Sequence, residues 1–137
     1  MVLTISPSLK IYLSNSKIPK AGRGVFANKL IKKNEVIENC PVFVLPKKDY
    51  PLAKKTVLRN YYFMWGKSTS AICFGYGSFY NHSYEPNATY KKDIKGQTID
   101  FIAIKDIDKN EEILVNYNYG SPNDKSRLWI KNIKPAS

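Results

Sequence analysis

The sequence is poor in the residues that bind metal ions in proteins. Among its 137 residues there is one histidine, His82, and there are two cysteines, Cys40 and Cys73. The cysteines lie far apart and form no C-x-x-C pair, so we expect no zinc cluster and no other bound metal. Two cysteines could form one disulfide, but nothing else in the sequence indicates secretion.

Long apolar segments are also missing. The first ten residues, MVLTISPSLK, contain no continuous apolar stretch of the kind found in signal peptides. No apolar run approaches the roughly 18 residues that a membrane-spanning helix needs. Because 43% of the residues are hydrophobic and the length is that of one domain, we expect a single soluble, intracellular domain with no membrane contact.

Acidic residues are scarce relative to basic ones. The 22 Lys and Arg outnumber the 11 Asp and Glu, which gives a net charge of +11. The excess is concentrated in residues 1–67, where thirteen basic residues face three acidic ones. Such a balance is typical of proteins with a nucleic acid or another acidic partner. Because the lysines are scattered and form no single block, a solvated lysine-rich surface also explains it.

Short strand-like segments separated by turns make up most of the chain. Alternating or β-branched apolar residues predict strands at 11–13, 25–27, 36–38, 41–45, 71–74, 98–104 and 113–117. Residues 54–65 are the best helix candidate, since five apolar positions share one face at 3.6-residue spacing. Two segments, 31–37 and 107–113, resemble each other, and each predicts a Lys-Asn-Glu turn that leads into a strand. Two short copies do not define a solenoid.

Three stretches could carry chemistry. The first is Gly22-Arg23-Gly24, whose glycines allow positive φ and close approach of a ligand to the backbone. A strand follows it and not a helix, which argues against a dinucleotide or P-loop phosphate site. Taken alone, the stretch is also compatible with a plain hairpin turn.

The second stretch is Tyr80-Asn81-His82-Ser83-Tyr84-Glu85-Pro86-Asn87. The Asn81 amide can donate and accept hydrogen bonds, so it could bind the edge of a purine. A Ser-His hydrolase is a poor alternative, because the two residues are adjacent and no G-x-S-x-G sequence is present. A capped Asn-Pro loop without chemistry is the other interpretation.

The third stretch runs from Glu111 to Gly120. We expect the Glu111-Glu112 pair to be solvated or to form a local salt bridge, not to act as a glycosidase pair, because adjacent strand residues point oppositely. Tyr117 and Tyr119 would share one face of the strand. Two phenols on one face are otherwise ordinary strand aromatics.

Together, in this order, the three stretches resemble the motifs of SET-domain protein-lysine methyltransferases, especially the short single-domain members of bacteria and large viruses. Gly22-Arg23-Gly24-Val25-Phe26-Ala27 resembles the N-terminal G-x-G motif. Residues 80–87 match the N-H-S-x-x-P-N motif without a gap, and 111–117 match the E-E-[IL]-x-x-x-Y motif. The resemblance covers about residues 9–120, with 121–137 as a closing segment. It implies a mostly β, β-clip-like fold of several small sheets, one or two short helices and a C-terminal pseudoknot that brings Asn81 and His82 beside Tyr117.

The resemblance also implies S-adenosylmethionine as cofactor and a lysine of a protein as substrate. Tyr117 would be the catalytic residue, positioned where the methyl donor meets the lysine. Its ordinary pKa near 10 makes it a poor base at neutral pH, so we expect it to orient the reacting groups. Cofactor contacts are implied for Gly22, Arg23, Gly24, Asn81, His82, Tyr117 and Trp129, with Tyr62 as a weaker candidate; Tyr80, Tyr90 and Tyr119 are candidate walls of the lysine channel.

Two departures leave alternatives open. Asn116 precedes Tyr117 where many members have Asp, and no cysteine-rich flank is present. A non-catalytic binding module and a basic nucleic-acid-binding β-domain therefore stay as rival hypotheses.

The expected partners are a histone, chromatin-associated or ribosomal protein, possibly on nucleic acid, with the chain as a monomer or homodimer. The expected location is cytoplasmic or, for a chromatin substrate, nuclear.

Overall fold

Short strands carry most of the regular structure in the computed structural model, which describes residues 4–118 and 121–128. The fold is mostly β, as the sequence predicts. One short helix and two 3₁₀ turns, Val57–Asn60 and Gly77–Phe79, complete the described elements. In chain order the elements are β1 (Ile11–Asn15), β2 (Arg23–Ala27), β3 (Val36–Val44), α1 (Tyr50–Ala53), β4 (Phe63–Trp65), β5 (Thr69–Cys73), β6 (Asn81–His82), β7 (Ala88–Asp93), β8 (Thr98–Ala103) and β9 (Glu112–Val115).

The strands form two sheets. One has the order β1-β2-β9-β6 and the other has the order β4-β5-β3-β8-β7. Within the described strands, the pairing of β6 with β9 is parallel and the other pairings are antiparallel. β4 and β7 are opposite edges of the five-stranded sheet. The rings of Phe63 on β4 and Tyr90 on β7 nevertheless pack edge to face, with their centroids 5.2 Å apart. The sheet therefore curls until its two edges touch.

The helix predicted over residues 54–65 is wrong. The α-helix ends at Ala53, residues 57–60 form a 3₁₀ turn, and residues 63–65 are the strand β4. The supposed apolar face is not covered, since Val57 is 67% and Tyr61 is 45% exposed. A short helix depends on burying one face, and here Val57, Leu58 and Tyr61 of that face are exposed. The Thr56 side chain instead accepts a hydrogen bond from the Leu58 N–H.

The two similar turns noted in the sequence contact each other. Ile31 and Ile107 form an antiparallel bridge with N–H to O=C distances of 2.9 and 2.8 Å, and both side chains are fully buried. Asn34 and Asn110 occupy equivalent positions with φ of 75° and 70°. Asparagine tolerates this left-handed backbone better than most residues. The pair of turns holds β3 and β9 in fixed relation to each other.

The core lies between the two sheets and includes both cysteines. Cys40 and Cys73 are buried free thiols, so no disulfide joins them. No helix among the described residues is long and apolar enough to cross a membrane. The largest fully buried side chains include Tyr80, Phe101, Ile37, Ile99, Ile113 and Val25.

Candidate active site

The Asn-His stretch and the Tyr117 stretch meet through the parallel pairing of β6 with β9. Asn81 lies opposite Leu114 and His82 lies opposite Val115. This confirms that residues 81–82 lie beside Tyr117. The strand predicted over 113–117 is too long, however, because β9 ends at Val115 and Tyr117 lies in the turn that follows.

Two hydrogen bonds fix Tyr117 in this turn. Its N–H donates to Nδ1 of His82 at 3.0 Å, and its hydroxyl donates to the Tyr80 carbonyl at 2.7 Å. Burial, reinforced by the nearby Tyr90 and Tyr61 phenols and Glu112, raises the pKa of Tyr117 above its ordinary value. The phenol therefore stays protonated at neutral pH and acts as a donor, which agrees with a positioning role and not with a base.

His82 is held neutral by its surroundings. Its side chain is 1% exposed, and burial lowers its pKa to about 4. Because Nδ1 accepts from Tyr117, the proton of the neutral ring lies on Nε2. Nε2 is buried and has no hydrogen-bond partner among residues 4–118 and 121–128. A buried donor without a partner costs about 1–3 kcal/mol, so this atom marks a position where a ligand acceptor would be stabilising.

The Gly22–Gly24 segment, in which Arg23 and Gly24 begin strand β2, is tied to the same place. The Asn81 side-chain amide donates to the Arg23 carbonyl at 3.0 Å. A Cβ on Gly24 would lie 2.4 Å from Oε2 of Glu112 and 2.9 Å from Nδ2 of Asn81, so only glycine allows this approach. Gly22 has φ of 75° and open space where a Cβ would be, which leaves its backbone accessible to a ligand.

Glu112 is a site residue that the sequence reasoning missed. The expectation that it is solvated is wrong, since it is 6% exposed. Its carboxylate accepts hydrogen bonds from the Ser16 hydroxyl at 2.8 Å, the Lys17 N–H at 2.9 Å and the Asn81 amide at 3.1 Å. The E-E-[IL]-x-x-x-Y motif includes Glu112, but its partners are distant in sequence, so the motif could not indicate these contacts. Glu112 joins the 16–22 loop, Asn81 and β9.

Asn87 of the middle motif serves the framework. Its side-chain oxygen accepts from the Leu114 N–H at 2.8 Å, and its amide donates to the Glu112 carbonyl at 2.9 Å. These bonds clamp the end of the 80–87 stretch onto β9. The predicted site residues Asn81, His82 and Tyr117 therefore rest on a shared backbone frame.

An aromatic cleft opens at Tyr117. Its cavity volume is about 60 Å³. Tyr90, predicted as a wall of the lysine channel, lines it, and so does Tyr62, which was predicted as a weaker cofactor contact. Its described lining consists of Asn60, Tyr61, Tyr62, Phe63, Met64, Gly77, Ser78, Tyr80, Tyr90, Lys92 and Tyr117. This cleft has the lining expected for an alkyl side chain.

Not every predicted wall residue presents its phenol to the cleft. The Tyr80 hydroxyl donates to the buried Glu38 carboxylate at 2.9 Å, and its ring stacks on Phe101 at 4.1 Å. The backbone carbonyl of Tyr80, and not its phenol, contacts Tyr117 by accepting the hydrogen bond from the Tyr117 hydroxyl. Tyr62 lines the cleft, and burial together with Tyr50 raises its pKa to about 12. Tyr119 and Trp129 lie outside the described residues.

The segment 121–128 packs over the site. The Asn116 amide donates to the Asp124 carbonyl at 2.6 Å, and the Asn118 amide donates to the Ser126 carbonyl at 2.7 Å. The Tyr84 hydroxyl donates to the same Ser126 carbonyl at 3.1 Å. Asn116 is fully buried. Asn116, which stands where many family members have Asp, therefore supplies an amide donor that an aspartate would lack. This donor anchors the segment 121–128 through the Asp124 carbonyl.

These features fit the cofactor that the resemblance implies. The His82 Nε2–H, which has no partner within the described part of the chain, and the open backbone at Gly22 offer positions for a polar ligand. Among the described residues, no group of three or more His, Cys, Asp or Glu side chains is placed to hold a metal ion.

Comparison with known proteins gives a consistent result. The SET-domain family model matches residues 22–118. A Schizosaccharomyces pombe histone-lysine N-methyltransferase specific for histone H3 lysine 37 is 32% identical over 126 residues, which are 91% of this chain and 81% of that protein. A variant-silencing SET domain-containing protein of Plasmodium falciparum is 33% identical over 121 residues, but these span only 5% of its length.

Solved structures show the same fold. A candidate histone methyltransferase of Plasmodium falciparum superposes with a TM-score of 0.65 at 32% identity, over 80% of this chain and 97% of that one. Polycomb Repressive Complex 2 of Chaetomium thermophilum superposes with a TM-score of 0.66 at 21% identity, over 86% of this chain and 17% of that one. At this lower identity the second likeness concerns the fold alone.

Proposed function

The chain belongs to the SET-domain family, and we propose that it is a protein-lysine N-methyltransferase that uses S-adenosylmethionine. One observation carries the proposal. The Tyr117 hydroxyl is bound to the Tyr80 carbonyl at 2.7 Å in the wall of an aromatic cleft, and its backbone is bound to His82. This arrangement joins a cleft suited to a lysine side chain with the stretch that the family uses for its cofactor.

The chemistry proposed for the cleft is desolvation and positioning. A lysine that enters a narrow aromatic cleft loses water, which disfavours its charged form and favours the neutral amine. The Tyr117 oxygen and the Tyr80 carbonyl are acceptors that can orient the N–H groups of that amine. Correct orientation of two reactants supplies a large part of the rate of such a displacement. Tyr117 needs no ionised phenol for this role.

The cofactor residues proposed are Gly22, Arg23, Gly24, Asn81 and His82, with Tyr117 between them and the cleft. When bound, S-adenosylmethionine supplies a methyl group on a positively charged sulfur; a neutral amine can accept this methyl group without a metal, and the sulfur leaves as a neutral thioether. His82 Nε2–H offers a buried donor, and Glu112 binds the Asn81 amide, which also donates to the Arg23 carbonyl. Contacts from Trp129 and Tyr119 stay predictions.

Transfer of labelled methyl from S-adenosylmethionine tests this proposal. The substrates are a histone H3 peptide centred on lysine 37 and whole nucleosomes, and the variants are Y117F and N81A. A misplacement of the reacting groups by about 1 Å can cost roughly 10²-fold in rate, so we expect Y117F, which lacks the orienting oxygen, to lose about 100-fold. Y12F is the matched control, because the Tyr12 hydroxyl binds only the exposed Asn110 side chain among the described residues.

Cofactor binding, measured by calorimetry, separates the rival functions. We expect N81A to weaken binding strongly and Y117F to keep most of it. A protein that binds S-adenosylmethionine without methylating any histone substrate would be a binding module. A protein that binds DNA with steep salt dependence and does not bind the cofactor would be a nucleic-acid-binding domain. Equal labelling by wild type, Y117F and N81A would contradict a methyltransferase site.

The proposed substrate is a histone within chromatin, and the proposed location is the nucleus. Relatives described as histone methyltransferases support the histone. A free histone tail is basic and would be repelled by a protein of net charge +11. The segment 46–67 adjoins the cleft through residues 60–64 and exposes several basic side chains, including Lys47 and Lys48. Nucleosomal DNA would turn this repulsion into attraction.

Salt dependence tests the role of the charge. We expect nucleosomes to be methylated faster than the free peptide at low salt, with a preference that declines as salt rises. K47Q/K48Q should reduce the preference more than K32Q/K33Q, a matched exposed pair outside the segment. Equal methylation rates on peptide and nucleosome at all salt concentrations would show that the positive net charge of the protein does not favour nucleosomes as substrate.

A further inference from the structure

A buried carboxylate lies behind the wall of the cleft. Glu38 on β3 is 7% exposed, and its two oxygens accept hydrogen bonds from the Tyr80 hydroxyl and the Tyr76 N–H, each at 2.9 Å. Burying a carboxylate is costly unless hydrogen bonds compensate for the lost water. An apolar side chain of similar size would fill this part of the core without that cost. The position of Glu38 therefore calls for an explanation beyond packing.

An irregularity in β3 turns Glu38 into the core. The register of β3 against β8 shifts between Val36 and Glu38, and Glu38 pairs with Phe101 of β8. Successive strand residues normally point to opposite faces, yet Ile37 and Glu38 are both buried. A bulge of this kind changes the direction in which a side chain points. The strand is thus bent locally in a way that brings this carboxylate inside.

The first hydrogen bond of Glu38 holds the start of the segment 76–80. The Tyr76 N–H donates to Oε2 of the carboxylate. Gly75, just before it, has φ of 65°, and a Cβ there would lie 2.5 Å from the same oxygen. The glycine therefore permits the carboxylate to approach the turn closely. Because residues 77, 78 and 80 line the cleft, Glu38 fixes the point at which the chain enters the cleft wall.

The second hydrogen bond of Glu38 holds the end of the same segment. The Tyr80 phenol donates to Oε1 of Glu38, and the Tyr80 ring stacks on Phe101 with the centroids 4.1 Å apart. Burial, reinforced by the nearby Glu38 carboxylate, raises the pKa of Tyr80 well above its ordinary value, so the phenol stays a donor. The carbonyl of this fixed residue accepts the Tyr117 hydroxyl at 2.7 Å. A continuous series of contacts thus joins Glu38 to Tyr117.

We propose that Glu38 is a positioning residue for methyl transfer, which sets the Tyr117 hydroxyl through Tyr80. This inference rests on the proposed methyltransferase function. Glu38 does not belong to the described lining of the cleft; it holds the Tyr80 carbonyl in place, and that carbonyl orients the Tyr117 hydroxyl. A misplacement of about 1 Å can cost roughly 10²-fold in the rate of a displacement. The carboxylate therefore acts on kcat and not on the binding of either reactant.

The variant E38Q tests this role with labelled S-adenosylmethionine and the histone H3 peptide. Glutamine keeps the shape but has one acceptor oxygen in place of two, so one of the two donors loses its acceptor. We expect kcat to fall about tenfold and both KM values to change less than about twofold. E35Q is the matched control, because Glu35 also accepts a backbone N–H, from Lys32 at 3.1 Å, but lies outside the segment 76–80. E35Q should keep the wild-type kcat.

A double-mutant cycle with Y117F separates positioning from a general structural role. Since Y117F lacks the hydroxyl that Glu38 positions, E38Q should lower the residual kcat of Y117F by less than about twofold. Y80F removes only the Tyr80 hydroxyl and keeps the stacked ring. It should lower the wild-type kcat by about the same tenfold factor, and it supplies the test if E38Q does not fold.

A fluorine label on the ring of Tyr117 gives a measurement that needs no turnover. In protein with a fluorinated tyrosine at this position, the fluorine NMR resonance should shift or broaden in E38Q and Y80F and should match that of the unsubstituted protein in E35Q. If the resonance behaves in this way but no methyl transfer is found, the positioning stands and the proposed function fails.

Two results would overturn the inference. One is a loss of kcat on E38Q substitution that is equally large in the wild-type and Y117F backgrounds, because Glu38 would then act on the fold as a whole. The other is an unchanged kcat and an unchanged fluorine resonance in E38Q or Y80F. With methyl transfer intact, that second result leaves the proposed function standing without a role for Glu38.

Discussion

Replacing Glu112 by glutamine removes the charge from the carboxylate that joins three parts of the site. The carboxylate accepts hydrogen bonds from the Ser16 hydroxyl, the Lys17 N–H and the Asn81 amide. Glutamine keeps one acceptor oxygen but turns an NH₂ group toward one of these donors. A hydrogen bond to a charged group contributes about 1.5–3 kcal/mol, against about 1 kcal/mol for a neutral pair.

We therefore expect E112Q to lose about 2 kcal/mol of the free energy of unfolding and E112A about 3 kcal/mol. E112A loses less than the sum of its contacts, because the Asn81 amide also binds the Arg23 carbonyl. At about 3 °C per kcal/mol for a chain of this size, Tm should fall by about 6 and 9 °C. Thermal and urea denaturation measure both quantities.

Cofactor affinity should fall with stability in these variants, because Glu112 fixes the 16–22 loop and Asn81 relative to each other. We expect E112Q to weaken S-adenosylmethionine binding about tenfold, which corresponds to about 1.4 kcal/mol. E85Q is the matched control, since Glu85 is exposed. If E112Q and E85Q agree in both Tm and cofactor affinity, Glu112 does not organise the site.

Three further outcomes follow from single contacts. G24A should lose about 2–3 kcal/mol of stability through overpacking against the Glu112 carboxylate, whereas G66A, at φ of 63° with open space, should lose only about 1 kcal/mol; equal losses in urea denaturation would discount the contact. N116D should lose about 2–3 kcal/mol at pH 7, because a buried carboxylate would replace the donor to the Asp124 carbonyl, and unchanged thermal stability would contradict this. Burial lowers the pKa of His82 from 6.5 to about 4, so the unfolded chain binds the proton first as pH falls, and stability should decline by up to about 3 kcal/mol between these pH values. H82Q should lack this part of the pH dependence in urea titrations, and an identical slope would refute the assignment.

The strand predictions agree with the structure where alternation and turn residues are strong. The strands expected at 11–13, 25–27, 71–74 and 98–104 correspond to β1, β2, β5 and β8. The separate strands expected at 36–38 and 41–45 are one strand, β3, with an irregularity between Val36 and Glu38. The strand β7 was not predicted, because its Lys91, Lys92 and Asp93 weaken the apolar alternation. The helix expected at 54–65 shows that a periodic pattern needs a surface to pack against.

The sequence by itself determined the family and predicted Asn81, His82 and Tyr117 as candidate site residues, because their motifs are contiguous and ordered along the chain. Only the tertiary structure decided what those residues contact. The parallel pairing of β6 with β9 sets Tyr117 against Tyr80, buries Glu112 beside Asn81, and commits the Tyr80 phenol to Glu38. The curled sheet brings Lys92 into the cleft wall. Hydrogen bonds and charge effects act between atoms a few ångströms apart in space, and the partners in each case lie more than 25 residues apart in sequence.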